Sequence, residues 1–166
     1  MPALQTRISP CLWFDTQGEE AATFYTSIFP NSKIGHIERY GEAGKEIHGQ
    51  KPGNVMTVDF TLDGLDFVAL NGGPIFKFTE AVSFQIYCAD QKEVDYYWDR
   101  LTVGGDPAAQ QCGWVKDKFG LSWQIVPRPF IELMKTGEPA KKQQMFAAMM
   151  QMRKLDWPKL QAAYDS

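Results

Sequence analysis

Two stretches of this chain, set about 75 residues apart, follow the same plan. Ser9-Pro10-Cys11-Leu12-Trp13-Phe14-Asp15 leads into a helical stretch ending at Phe24-Tyr25. Ser83-Phe84-Gln85-Ile86-Tyr87-Cys88-Ala89-Asp90 leads into another that contains Tyr96-Tyr97-Trp98. Strand-like segments follow in each half, Asp63 to Val68 in the first and Lys118 to Gln124 in the second. A repeat written as strand, helix, then strands predicts an α+β fold of two similar modules. The expected ligand site is the concave face between them.

The length of 166 residues suits one domain, with modules at about 7–74 and 80–127 and a helical tail over 128–166. Hydrophobic residues make up 44% of the chain and aromatic ones 13%, enough for a real core. A net charge of −3, with no basic run, argues against nucleic acid as a partner. No apolar run approaches the roughly 20 residues that a membrane-spanning helix needs. Met1 to Arg7 has no apolar signal region, which predicts that the chain is not exported. Three cysteines, none in a CxxC pair, read as reduced thiols and a cytoplasmic setting.

In the first module, Leu12 and Phe14 alternate with Ser9, Cys11, Trp13 and Asp15 on the other face. Thr16 precedes Glu19 by three residues, a capping-box spacing. Ala21, Phe24, Tyr25 and Ile28 then recur at helical intervals until Pro30-Asn31. Ser32 to Tyr40 reads as a strand, and Gly41 to Gly53 as a mobile loop or hairpin crossover. Met56, Val58, Phe60 and Leu62 alternate against Thr57, Asp59 and Thr61, and Asp63-Gly64 turns the chain back through Leu70.

The second module places Ser83, Gln85, Tyr87 and Ala89 on one strand face, with Phe84, Ile86 and Cys88 opposite. Asp90 caps a helix striped by Val94, Tyr97, Trp98 and Leu101. Ala109 to Asp117 and Leu121 to Val126 are the last strands, with Pro127 and Pro129 closing the sheet. Glu138 to Lys154 carries Met145, Met149 and Met152 at helical spacing, a packing surface in the core or at a dimer contact. Asp156-Trp157-Pro158 opens a short final helix. The tail is expected across the outer side of the sheet or against a partner subunit.

Leu12-Trp13-Phe14-Asp15, Leu70-Asn71-Gly72-Gly73-Pro74, Val82-Ser83-Phe84 and the long motif from Cys112 to Pro127 resemble the PhnB-like family. That family belongs to the vicinal oxygen chelate superfamily, with glyoxalase I, bleomycin-resistance proteins and extradiol dioxygenases. The resemblance covers nearly the whole chain, the Met-rich tail included. It implies paired βαβββ modules forming a half-open mixed β-barrel, and frequently a homodimer. Members often carry a demethylubiquinone methyltransferase label. The Gly72-Gly73 pair does not build the glycine-rich strand-to-helix loop that would cradle a nucleotide or adenosyl cofactor. No cofactor is expected.

Superfamily enzymes hold a divalent metal through four strands, and by resemblance those positions fall near Ser9, near Val68, at Ser83 and at Gln124. A stable transition-metal site wants about three His, Cys or carboxylate ligands. These residues are poor ligands, so no metal is expected.

Asp59 in a water-poor groove could serve as a general base, although a carboxylate on a solvated strand face explains it as well. Cys11 could be a nucleophile beside a base, but no histidine is placed near it by the sequence, and an inert thiol is the simpler reading. Cys112 has the same standing. Trp13, Tyr87 and Trp114 could wall a planar ligand, while parity points Trp123 toward the helix side. His48, in the glycine-rich loop, reads as solvated. The expected ligand pocket is therefore Ser9, Cys11, Trp13, Asp59, Ser83, Gln85, Tyr87, Trp114 and Gln124. The function read from it is binding of a small aromatic or amphipathic molecule in a metal-free groove by a homodimer. The alternatives are a superfamily enzyme of lyase, isomerase or dioxygenase type with a non-standard site, and a structural or regulatory dimer.

Overall fold

The structure is a computed structural model that describes residues 7–166, so most of the stretch read for an export signal lies outside the described residues. The chain divides into two compact units, one running to Lys77 and one starting at Phe78.

The first unit contains β1 (Cys11–Phe14), α1 (Gly18–Ile28), β2 (Lys33–Arg39), α2 (Lys45–His48), β3 (Val55–Leu62) and β4 (Leu65–Asn71). Its four-stranded sheet has the order β1-β4-β3-β2, with β1 parallel to β4 and the other pairs antiparallel. The period-two pattern decides which face is covered. Leu12, Phe14, Val58, Phe60, Phe67 and Ala69 are buried, together with Ala21, Ala22, Tyr25 and Ile28 of α1. Burying one such large side chain contributes about 1.5–3 kcal/mol, so this helix-covered face holds the unit together. Asp63 and Gly64 both have positive φ, 45° and 82°, the signature of the tight hairpin expected there. The glycine-rich loop carries one helical turn, α2.

The start of α1 departs from expectation. Its N-cap is Gln17, with no side-chain cap bond, so Thr16 and Glu19 form no capping box. The orphan N–H of Gly18 donates instead to Asn71 Oδ1 at 2.8 Å, and Asn71 Nδ2 donates to Val55 O at 3.1 Å. A residue 53 positions away caps the helix.

The second unit contains β5 (Ser83–Cys88), α3 (Gln91–Leu101), a 3₁₀ turn (Pro107–Ala109), β6 (Trp114–Lys116) and β7 (Ser122–Pro127). The sheet has three strands, in the order β5-β7-β6. The 3₁₀ turn stands where the module plan has its second strand. Pro107 has no N–H to give a ladder, and Asp106 takes the N–H of Ala108 at 2.9 Å, which commits the segment to a turn. The cap of α3 is as expected: Asp90 accepts from Glu93 N at 3.0 Å, and Glu93 Oε2 accepts from Ala89 N at 2.7 Å. Trp123 is buried on the helix side, its indole N–H donating to Asp117 Oδ2 at 2.8 Å.

The tail forms α4 (Arg128–Thr136), α5 (Pro139–Met149) and α6 (Trp157–Asp165). The expected Glu138–Lys154 helix ends at Met149, and a separate helix, α4, precedes it in the tail. Pro129 sits in the first helical turn, where an N–H has no partner to lose. Met145, Leu155 and Leu160 are buried against Val126 and Phe130, with Met149 and Met152 packed at the edge. Val126 shares a strand face with Gln124, so the tail closes over one end of the helix-free face of its own sheet. Gln91 ties it down, donating to Leu155 O at 3.1 Å and accepting from Trp157 N at 2.7 Å. Among the described residues, no helix is long and apolar enough to cross a membrane.

Candidate functional site

The residues expected to line a pocket all lie on the helix-free faces, but the structure treats the two faces differently. In the first unit, Cys11 pairs with Val68 and Val68 with Asp59, so the three form one row across β1, β4 and β3. Ser9 Oγ donates to Asp66 O at 2.6 Å. Trp13 is covered by its own chain: its indole N–H donates to Gly73 O at 2.9 Å, and Phe76 meets the ring edge-on at 4.9 Å. A Cβ at Gly72 would collide with that indole, which is why the crossing segment needs glycine there. Cys11 is exposed as a residue, yet atoms crowding its thiol push the pKa upward, away from a nucleophilic thiolate.

The second unit carries the equivalent row. Gln85 pairs with Gln124 and Gln124 with Trp114. Side chains link along and across it. Tyr87 O–H donates to Gln85 Oε1 at 2.6 Å, Gln85 Nε2 to Gln124 Oε1 at 3.3 Å, and Gln124 Nε2 to Ser83 Oγ at 2.8 Å. This polar ladder floors a cleft of about 710 Å³, within the span usual for small-molecule sites. Gln85, Trp114 and Gln124 line it; Ser83 and Tyr87 touch its floor through their hydrogen bonds. The opposing wall comes from the tail: Phe130 and Ile131 of α4, then Met149 and Met150.

The tail wall is what sequence reasoning missed. Met149 lay on the recognised methionine stripe, but Met150 fell one position off it. Phe130 and Ile131 fall in the expected helical tail, but no motif marked them for the site. Glu80 and Cys112 complete the rim. Glu80 is held ionised below the usual carboxylate range, first by its ion pair with Lys116. Cys112 has a φ of +52°, and its Sγ lies 3.9 Å from Met150 Sδ.

The four positions that hold the metal in superfamily enzymes do not fit one. Val68 has no lone pair, Ser9 is engaged with a backbone carbonyl, and Ser83 and Gln124 are bonded to each other. Among the described residues, no group of three His, Cys, Asp or Glu side chains could hold an ion. The histidines are engaged elsewhere. His36 meets Glu38 at 3.1 Å; His48 Nε2 donates to Ala43 O at 3.1 Å, while its Nδ1 accepts from Gln50 N at 3.0 Å.

The model of the family described as 3-demethylubiquinone-9 3-methyltransferase matches residues 6–126. A PhnB protein from Bacillus cereus with that same description is 34% identical, covering 74% of this chain and 99% of its own, with a TM-score of 0.62. The chain belongs to this PhnB-like family. Two more distant structures share its fold. Protein PA1353 from Pseudomonas aeruginosa is 17% identical over 73% of this chain and 96% of its own (TM-score 0.55). The fosfomycin resistance protein FosX from Listeria monocytogenes is 17% identical over 81% and 98% (TM-score 0.50). No curated protein matches the chain.

The family match ends at Val126, one residue before β7 does. The matched residues thus stop short of the Met-rich tail. Helices α4 to α6, with most of the cleft's apolar wall, lie beyond the matched residues.

Proposed function

We propose that this PhnB-like protein binds a small aromatic or amphipathic molecule, and that the cleft of the second unit holds it. The observation that carries the reading is the pairing of an amide floor, Gln85 and Gln124, with an apolar wall of Phe130, Ile131 and Met149. A few fixed polar groups facing an apolar surface is the usual composition of a small-molecule site. Trp114, half-buried on the floor, offers a ring face for stacking.

The methyltransferase description does not transfer as an activity. An adenosyl cofactor wants free backbone N–H groups in a glycine-rich turn that opens a helix. Here Gly72 N donates to Phe14 O at 3.0 Å and Gly73 N to Asp15 O at 3.3 Å, and no helix follows until α3. The enzyme reading built on Cys11 would need a base, and both histidines are engaged elsewhere. A homodimer and a cytoplasmic setting belong to the proposal. Strand β2, an exposed sheet edge, supports the former, and light scattering on the purified protein tests it.

The test of binding is a thermal-shift screen against uncharged aromatic compounds. A ligand at one hundred times its Kd adds about 2.7 kcal/mol to folding stability, a shift easily read. Trp114→Ala is expected to reduce that shift. A screen in which no aromatic compound raises the midpoint contradicts the proposal.

A further inference from the structure

Resting on that reading of the cleft, we infer that its occupant is an uncharged planar molecule with a hydrogen-bond donor and acceptor on one edge. Gln85 and Gln124 select that edge, and the tail's Ile131 and Met149 clamp the ring. Three observations lead there.

The first is the directionality of the ladder. Tyr87 donates to Gln85, Gln85 to Gln124, and Gln124 to Ser83, so the two amides are oriented by their neighbours. Each amide uses one N–H and one carbonyl lone pair in these bonds. A second N–H and a second lone pair stay on each, and both residues line the cleft. The floor thus presents alternating neutral donors and acceptors, which match a carboxamide, a lactam or a phenol beside a carbonyl.

The second is charge. Among the described residues, Glu80 is the one carboxylate on the rim, and no Lys or Arg lines the cleft. The lysine closest to the site's chemistry, Lys116, is committed to Glu80 in an ion pair. A carboxylate or phosphonate entering here would lose water and meet no cation, which is costly. A cation would find Glu80 already neutralised by Lys116. An uncharged ligand avoids both penalties.

The third is the origin of the wall. Ile131 and Met149 come from tail helices outside the residues that the family model matches, and they wall the cleft opposite its polar floor. Methionine beside a branched aliphatic side chain packs against flat rings while adapting to their outline.

Calorimetric titration of the full-length protein with two isosteric probes, 2-naphthamide and 2-naphthoate, tests the inference. The amide is expected to bind at least about tenfold more tightly, a difference of about 1.4 kcal/mol. The Gln85→Leu/Gln124→Leu double variant, checked as folded by circular dichroism, is expected to erase that preference. Ile131→Trp, which fills the cleft from the tail side, is expected to weaken both probes. Naphthoate binding as tightly as naphthamide overturns the selection of uncharged ligands while the cleft stands as a binding site. Unchanged affinities in Ile131→Trp overturn the role of the tail. Binding of neither probe overturns the cleft reading itself, and the inference with it.

Discussion

At the scale of single residues, Asp117 shows how a polar group can be buried without penalty. It is 2% exposed, and its carboxylate accepts from Phe119 N at 2.9 Å, Leu121 N at 3.1 Å and Trp123 Nε1 at 2.8 Å. Hydrogen bonds to a charged group contribute about 1.5–3 kcal/mol each, and removing the acceptor strands buried donors as well. Asp117→Ala is therefore expected to cost about 3 kcal/mol or more in urea unfolding; a loss under 1 kcal/mol would contradict this account. The sequence reads at Lys116-Asp117-Lys118 as a turn with local ion pairing. It could not show that a backbone reversal would fold the middle residue inward onto Trp123. Cys88 gives a prediction of pH dependence. Burial, with smaller contributions from Glu93 and Asp90, pushes its thiol from 9.0 up to about 12. The folded state holds this proton more tightly than the unfolded chain does. Its contribution is thus complete below pH 9.0 and is lost as pH rises toward about 12. The stability difference between the native protein and Cys88→Ala should narrow by about 1.4 kcal/mol between pH 8 and pH 10. A constant difference across that range would place the thiol in contact with water.

At the scale of elements, the strands and their faces were legible and the helix ends only partly so. Period-two alternation in Val55–Leu62 and Ser83–Cys88 identified the buried faces because each sheet has one covered side. Local caps were equally readable where the capping residue adjoins its helix, as with Asp90 and Asp156. The cap of α1 was not, because its acceptor arrives from the end of β4. Asn71→Ala should accordingly destabilise by about 1–3 kcal/mol, since it leaves Gly18 N and Val55 O without their partners. Restoring a local cap with Gln17→Asp is expected to recover part of that loss. Failure of Asn71→Ala to lower the unfolding midpoint would show that the helix start does not depend on this long-range bond. Helix α4 falls within the expected helical tail, and Pro129, read as closing the sheet, sits in its first turn, where proline favours helix.

At the scale of the whole chain, the duplicated plan predicted two related units, and the family match confirms the frame over residues 6–126. The candidate site was legible in part. Strand parity placed Gln85, the family resemblance placed Gln124, and Trp114 was read as a ring that could wall a planar ligand. Their partners in the cleft come from the tail, whose docking depends on Met145, Leu155 and Leu160 finding Val126. No local pattern announces a contact of that kind, because a methionine stripe packs equally well on any apolar surface. The tail's contribution can be separated from that of the frame. Gln91→Ala removes two of the hydrogen bonds that hold the α5–α6 connection and is expected to cost about 1–2 kcal/mol. It should also weaken the binding of uncharged aromatic probes, because the loosened wall includes Met149 and Leu155. Unaltered binding in a destabilised Gln91→Ala protein would detach the tail from the site.

The central claim is that uncharged aromatic ligands sit on the amides of Gln85 and Gln124. Nitrogen-15 correlation spectra of the side-chain NH₂ groups, followed during titration with 2-naphthamide, test it most directly, with the peaks assigned through the two Gln→Leu variants. The account predicts saturable shifts of those two NH₂ pairs and of the Trp114 indole N–H. Saturable shifts confined to residues outside the cleft, with these peaks unmoved, would contradict it.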